Sequence, residues 1–586
     1  MIKDEKYWFY KGNDLCDSKN FEEAIKCYDK AAQMKPDSAA ILANWGNALS
    51  EFAKITQDKA LYREVFEKYS RAVQLEPNDA VTLYCWGDAL IDFAILTQDE
   101  ALYREAFEKL DKAAQLEPNN ANILTKLGLC LSNLALLTRD EALYRDAFEK
   151  LDKAIQLQPN NAAAFYTLGT ALSNLAHIKQ DEALFRESFE KFEKSAQLKP
   201  DDAVIYYSWG TALGNLAINK QDEALFGEAF EKLNKVVQLK SDNAVAFHTW
   251  GTALSALADI KQDEALYREA FEKFDRATHL QPDNASTFYT WGIALKSLAY
   301  ITHEEALYRE AFEKFEKSAQ LKPDDAATFH NWGTALGNLA FLKQDEALHR
   351  EAFEKLDKAT QLEPNNDDIF ATWGTFLNNL AKITNEETLY MEAFAKYNRA
   401  TQLKPDNANT IYYWGTALGN LALLTNEEAL YMEACEKYSR AAQLKPNNAT
   451  IFSDWGTILG SFAYIKQNED EALLTEACEK FQKSAGLKPD YAATFHHWGV
   501  TLGILAKITQ NEALFSESFE KFGRAAQLEP NNAAIFRHWG VVLDGLAHIK
   551  QDEGLYREVY ENLTELHNWN RTMLAILGIW VLRLVF

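Results

Sequence analysis

The sequence predicts an all-α solenoid, a stack of helical units instead of one globular core. Three observations carry this. First, Trp-Gly recurs at a fixed step, from Trp45-Gly46 and Trp86-Gly87 through Trp209-Gly210 and Trp250-Gly251 to Trp539-Gly540, and Leu127-Gly128 and Leu168-Gly169 fill the same slot. Successive glycines stand 41 residues apart, save one step of 43 between Gly456 and Gly499. A constant period of this size marks stacked repeats. Second, all twelve prolines, from Pro36 to Pro530, fall in the joints between units. None interrupts a helix interior, where proline costs about 3 kcal/mol. Third, stretches such as QDEALYREAFEKLDK (98–112) place Glu and Lys at helical spacing, as on a solvated helix face.

Taken in order, the first unit is short: Gly12 precedes Gly46 by 34 residues. Later units carry seven more, about two helical turns, placed between the two helices of a unit. Lengthening each helix by one turn keeps both apolar faces in register. Around Gly169 this gives a first helix over 162–178 and a second over 181–198. Thr97 with Glu100 has capping-box form, with Thr as the cap; Thr138/Glu141, Thr302/Glu305, Thr384/Glu387, Thr425/Glu428 and Thr509/Glu512 repeat it. Asn119-Asn120 and Asp201-Asp202 stand where they can cap the following first helix. At the Trp-Gly pair, Gly admits a neighbouring helix. A large residue four before it, such as Phe247 or Phe370, fills the space beside it, and alanines of the second helix, such as Ala106, Ala270 and Ala311, give the matching small surface.

Trp8, Gly12, Leu15, Ala24, Tyr28, Ala31 and Pro36 surround the first glycine. This pattern resembles the tetratricopeptide repeat (TPR), here in an extended 41-residue form, and the resemblance runs from Tyr7 to about Leu566. It implies a right-handed superhelical solenoid of antiparallel helix pairs, with a concave face lined mainly by first helices and a role in protein–protein interaction. The domain plan that follows is a first unit over 1–37, an array of twelve extended units over 38–571, and an apolar end segment over 572–586.

The bulk numbers exclude several functions. With 61 basic and 86 acidic side chains the net charge is −25, which opposes binding to a nucleic-acid backbone. Six cysteines without a Cys-x-x-Cys pair fit neither a disulfide framework nor a zinc site, and suit a reducing, cytoplasmic setting. The opening stretch MIKDEKYWFYKGND lacks the apolar run of a signal peptide. No paired histidines at i, i+4, no phosphate loop and no nucleophile–base constellation occur, so no enzyme, cofactor or metal is expected.

The candidate site is a peptide-binding groove. On the inner face, positions three before the glycine, one after and five after share one side of the first helix. The first column holds Tyr166, Tyr207, His248, His330 and Tyr412; the second Thr170, Thr211, Thr252, Thr334, Thr375 and Thr416; the third Asn174, Asn215, Asn338, Asn379 and Asn420. Ser173, Gly214, Ser255, Gly337 and Gly419 leave the floor between them open. An Asn amide offers a donor and an acceptor, which matches one peptide unit of an extended chain. The structural alternative is that these groups serve only neighbouring helices. A chaperone-tail clamp, which the resemblance also suggests at Asn13 and Asn47, lacks its cations: Phe9, Tyr84 and Asp88 stand where Lys or Arg is wanted.

The run Thr572–Phe586 reads as a degenerate further first helix, because Trp580 follows Trp539 by 41. Its apolar face leaves a membrane anchor through 573–586, or self-association at this end, as alternatives. The expected role is a protein-interaction scaffold; the rival is a membrane-tethered receptor.

Overall fold

The structure is a computed structural model that describes residues 4–466 and 470–550. Among the described residues lie 27 helices, numbered here α1 to α27 in chain order, and no strand. Odd-numbered helices are the first of each pair. α1 (Glu5–Asp17) and α2 (Phe21–Met34) form the short pair. Twelve longer pairs follow, from α3 (Ala39–Thr56) with α4 (Leu61–Leu75) to α25 (Ala492–Thr509) with α26 (Glu512–Leu528). α27 (Ala533–Lys550) is a thirteenth first helix of this kind, one more than the twelve units expected over 38–571. The end segment 572–586, with Trp580, lies outside the described residues. α9 (Ala162–Lys179) and α10 (Glu182–Leu198) begin and end within a residue of the expected bounds.

The chain forms two compact units, Met1–Ala294 and Leu295–Phe586. In the first unit, α7 (Ala121–Thr138) packs on its partner α8 (Glu141–Leu157) and on the next first helix, α9; α9 in turn packs on α10 and on α11 (Ala203–Lys220). In the second unit, α17 (Ala326–Lys343), α19 (Asp367–Thr384), α21 (Ala408–Thr425), α23 (Ala449–Ile465) and α25 follow one another in the same way. First helices therefore form a continuous column within each unit. α5 (Ala80–Thr97) and α7 are long and apolar enough to cross a membrane, but both are embedded in this packing.

The capping boxes are not formed as expected. Thr97 is the last residue of α5, and its hydroxyl donates back to the Phe93 carbonyl at 2.8 Å. Thr138, Thr302, Thr384, Thr425 and Thr509 do the same with the carbonyl four residues back, and Thr302, Thr384 and Thr425 also accept the amides of Glu304, Glu386 and Glu427 at 3.3–3.4 Å. The reason is the left-handed residue that follows, Gln98 at φ 55°, which ends the helix and turns the chain before the next begins. The N-cap of α6 (Glu100–Leu116) is Asp99, whose carboxylate accepts the Ala101 amide at 2.8 Å. Asp140, Asp181, Asp222, Asp263 and Asp345 repeat that bond.

The Trp-Gly pair holds each helix hairpin together. A Cβ at Gly87 would stand 2.5 Å from Leu110 Cγ, one at Gly251 2.8 Å from the Phe274 ring, and one at Gly374 2.9 Å from the Tyr397 ring. In the regular repeats the residue that fills the space is thus 23 positions on, in the second helix, and not the large residue four before. The expected small surface is there: at Gly210 and Gly333 the Ala229 and Ala352 carbonyls come to 3.3 and 3.1 Å of the Cβ position. The tryptophan receives a cation. Lys68 Nζ lies 4.3 Å from the Trp45 ring centroid, Lys232 4.2 Å from Trp209, Lys355 4.0 Å from Trp332 and Lys396 3.2 Å from Trp373. A partly desolvated cation–π pair contributes about 1–2 kcal/mol, and its repetition staples every hairpin that carries Trp in this set.

Contacts between consecutive first helices match small with large. A Cβ at Gly337 would lie 2.6 Å from the Phe376 ring, at Gly419 2.6 Å from Ile458 Cδ1, and at Gly503 against Val542 Cγ2. His349 is the misfit of the core. It is fully buried, neither ring nitrogen has a hydrogen-bond partner, and burial holds its pKa below the ordinary imidazole value. Phe185 and Phe226 occupy the equivalent position with equal burial.

Two predictions follow from this packing. Gly337→Ala alone forces the Phe376 ring aside and should cost about 1–3 kcal/mol; in a Phe376→Ala background the new methyl enters the void, so the double variant should lose at least about 1 kcal/mol less than the sum of the singles. Hydrogen exchange of α17 and α19 in the four proteins measures this. His349→Phe should stabilise by about 1–3 kcal/mol by removing unpaired buried polar atoms. Because the folded state keeps this imidazole neutral, the wild-type chain loses stability as pH falls below about 6.5, the unfolded value, and the gain should be larger at pH 5 than at pH 8. Parallel thermal melts at both pH values check it.

Candidate peptide-binding face

The three columns of candidate residues share the first-helix faces, but the structure employs them differently. Most of the column three before the glycine bridges to the next pair, in each case to the residue 42 positions on; His248 makes no such bond. The Tyr166 hydroxyl lies 3.2 Å from Ser208 Oγ, Tyr207 3.3 Å from Thr249 Oγ1, and His330 Nε2 3.0 Å from Thr372 Oγ1. Tyr412 donates to Asp454 Oδ2 at 2.6 Å, a carboxylate whose pKa burial raises. His496 Nε2 and His538 Nδ1 are 2.8 Å apart, and burial followed by the neighbouring His497 and His538 lowers the His496 pKa to about 4, so the pair is neutral at pH 7. His248 is half-buried against Phe274, with its pKa lowered by burial.

The threonine column is turned to the backbone. Thr170, Thr211, Thr252, Thr334 and Thr416 donate to the carbonyls of Tyr166, Tyr207, His248, His330 and Tyr412 at 2.8–3.1 Å, and Thr375 to that of Ala371 at 2.9 Å. Thr375 and Thr416 also accept the hydroxyls of Tyr397 and Tyr438, at 3.2 Å each. These two columns, proposed from sequence as ligand contacts, are largely spent on the array itself.

The asparagine column is not. Asn174, Asn215, Asn338 and Asn379, with Asn133 one step earlier, are half-buried, and among the described residues their side chains make no hydrogen bond. Only Asn420 is engaged, donating to Asn378 Oδ1 at 3.2 Å. Asn133, Asn174 and Asn215 stand on the consecutive, mutually packed helices α7, α9 and α11. Unpaired amides at these steps present a row of donors and acceptors that suits a main chain. The floor is only partly open. Phe376 and Ile458 fill the space at Gly337 and Gly419; at Gly214 nothing lies within 4 Å of a Cβ, although the residue is itself buried. Ser255 donates to the Gly251 carbonyl. Sequence inspection could not see the filling, because the blocking side chain comes from the next repeat.

The start of the array carries charge instead of amides. Asp88 and Asp92 occupy the Thr and Asn positions of α5. Lys54 pairs with Asp92 at 2.7 Å and Glu51 at 2.9 Å, and Lys126 with Asp88 at 2.5 Å. Asn13 accepts the Tyr28 hydroxyl at 2.7 Å and the Asn44 amide at 3.1 Å, and Asn47 accepts the Tyr69 hydroxyl at 2.6 Å. The asparagines of the suggested carboxylate clamp are thus committed within the protein. No group of three or more His, Cys, Asp or Glu able to hold a metal occurs among the described residues, and burial raises the thiol pKa of Cys85, Cys130, Cys435 and Cys478, which leaves them protonated.

A family model described as plant specific mitochondrial import receptor subunit TOM20 matches residues 16–121, and one described as regulator of microtubule dynamics protein 1-3 matches residues 89–211. No curated protein matches the chain. Among solved structures, yeast Tom70 is similar at 17% identity over 88% of this chain and 99% of its own, with a TM-score of 0.37. YrrB, described as a TPR protein with an unusual peptide-binding site, is similar at 23% identity over 38% of this chain and 96% of its own, with a TM-score of 0.27. MamA gives 21% identity over 34% of this chain and 93% of its own, with a TM-score of 0.25. The helix pairs themselves, with glycine against the second helix and proline in every joint but one, make this chain an all-α array of tetratricopeptide-type repeats.

Proposed function

We propose that the chain is a protein-binding scaffold whose first-helix face holds extended polypeptide by its main chain. The observation that carries this is the row of half-buried asparagine amides without internal partners, set 41 residues apart on helices that pack side by side. A helical ligand would not suit them, since its backbone groups are already bonded to each other. The net charge of −25 turns away nucleic acid and anionic surfaces. Nothing in this reading calls for catalysis or a cofactor. The setting we favour is cytosol-facing.

A second reading, a membrane-tethered receptor, is favoured by one finding: the family model over residues 16–121 describes an import receptor subunit. In that case the apolar run 573–586 is the tether, and the same face serves as the receptor surface. Membrane association that resists carbonate and disappears on deleting 573–586 supports it; a fully soluble intact chain removes it.

The amide row is tested by Asn174→Ala with Asn215→Ala. No internal bond is lost, so the melting profile should not fall. Each lost hydrogen bond is worth about 1 kcal/mol, so affinity for extended synthetic peptides should drop at least about ten-fold. Fluorescence anisotropy with labelled 15-residue peptides measures it, and backbone N-methylation of a binding peptide should reproduce the loss. Unchanged affinity in the double variant sinks the main-chain mechanism.

A further inference from the structure

One charged side chain stands on an otherwise neutral face in the second unit. On α17, α19, α21, α23 and α25, take the positions three and two before the repeat glycine and one, four and five after it. Asp454 on α23 is the sole Asp, Glu, Lys or Arg among them. The histidines there, His330, His496 and His497, have pKa values lowered by burial and are neutral at pH 7.

The bridge between repeats does not call for this charge. Asp454 fills the slot in which Ser208, Thr249 and Thr372 meet the tyrosine or histidine of the preceding repeat, and it meets Tyr412 in the same way, through Oδ2 at 2.6 Å. A hydroxyl suffices elsewhere. The carboxylate adds a second oxygen: Oδ1 accepts no hydrogen bond among the described residues, yet it is not sealed off. No lysine or arginine of the described chain pairs with it, and Tyr412 alone offsets the cost of its burial. Asp367 on α19, also half-buried, by contrast has Asn407 at 2.9 Å and Lys404 at 3.9 Å. A carboxylate withdrawn from water without a cation is costly to keep.

The surroundings narrow what completes it. The Tyr412 and Tyr413 ring centroids are 5.1 Å apart, and Tyr413 is 42% exposed. Behind Tyr412 lies the Tyr438 ring, whose hydroxyl is committed to Thr416. Aromatic rings beside a free carboxylate oxygen suit a cation on an apolar stem, its charge on the oxygen and its methylenes on the rings. They repel an anion. They also offer too few oxygens for a divalent metal, which takes about six or more. The unbonded amides of Asn338 and Asn379 stand on α17 and α19, in the same column of packed first helices.

Resting on the main-chain reading above, we infer that Asp454, with the rings of Tyr412 and Tyr413, is the seat for one cationic side chain, lysine or arginine, of an extended polypeptide held on the first-helix face of the second unit. The test uses the full chain and labelled Ala-Ser-Gln peptides of about 15 residues, acetylated and amidated, whose central residue is lysine, arginine, norleucine or glutamate. Lysine and arginine should bind at least about five-fold more tightly than norleucine, and glutamate no better than norleucine. Asp454→Asn keeps an acceptor for Tyr412, and Asp454→Ser restores the residue found at Ser208, so both should melt as the wild type does. Each should erase the cationic advantage and leave norleucine binding unchanged. Asp368→Asn, which removes the same charge from the exposed start of α19, should leave the advantage intact. Asn338→Ala with Asn379→Ala should weaken all four peptides by a similar factor.

Equal binding of lysine and norleucine peptides, still weakened in the asparagine variant, overturns the cation seat and leaves the main-chain mechanism standing. An advantage that survives both Asp454 variants overturns the seat as well. An advantage that needs Asp454 while binding is indifferent to the asparagines keeps the seat and overturns the main-chain mechanism; no binding by any peptide overturns both. A norleucine peptide with a free amino terminus that gains the whole advantage, with none from lysine, assigns Asp454 to a chain terminus and overturns the side-chain assignment.

Discussion

The repeated glycine lets the first helix close on the side chain 23 residues on in the second helix, and the rest of the array depends on that contact. The first helix can reach the second only where a Cβ is absent, since Leu110 or Phe274 occupies the place where one would stand. That contact fixes the separation and axial register of every hairpin. Register then determines what else can meet: the lysine before the filling residue lands over the tryptophan before the glycine. A hairpin so fixed still exposes one face, which only the next hairpin can cover, and stability in such arrays is roughly additive over units and their interfaces.

The interfaces between hairpins use polar groups more than expected. Tyr166, Tyr207, His330 and Tyr412 reach a polar atom 42 residues on, and lysines of one first helix bridge to the second helix of the pair before it, as Lys220 does to Glu182 and Lys343 to Glu305. Individually such surface pairs contribute little. Repeated at one step, they discourage slippage by a residue, because a shifted register would leave half-buried hydroxyls unpaired. What remains after this allocation is the asparagine column. A position kept polar, half-buried and unbonded through successive repeats is costly to keep unless solvent or a ligand meets it.

The two ends of the described array differ chemically from its middle. At the start, Asp88 and Asp92 with Lys54 and Lys126 form a closed network in place of free amides. Near the far end the bridging column becomes the His496–His538 pair. Free amides stand on α7, α9 and α11 in the first unit and on α17 and α19 in the second.

The period, the helix bounds to within a residue or so, the joints and the glycine packing were legible in the sequence, because they repeat and because proline, glycine and small residues have local causes. The capping was misplaced: Thr97 and its equivalents stand two residues before the N-cap, a matter settled by the left-handed residue between helices. Which residue fills the space beside each glycine, and whether Gly337 or Gly214 is open, depended on the neighbouring helix or repeat. The same limit applied to the face. Sequence alone put tyrosine, threonine and asparagine on one side of the first helix, since helical spacing dictates it. Only the tertiary structure decided that the tyrosines and threonines are bonded internally and the asparagines are not, because a polar side chain is free or spent according to what lies across the gap from it.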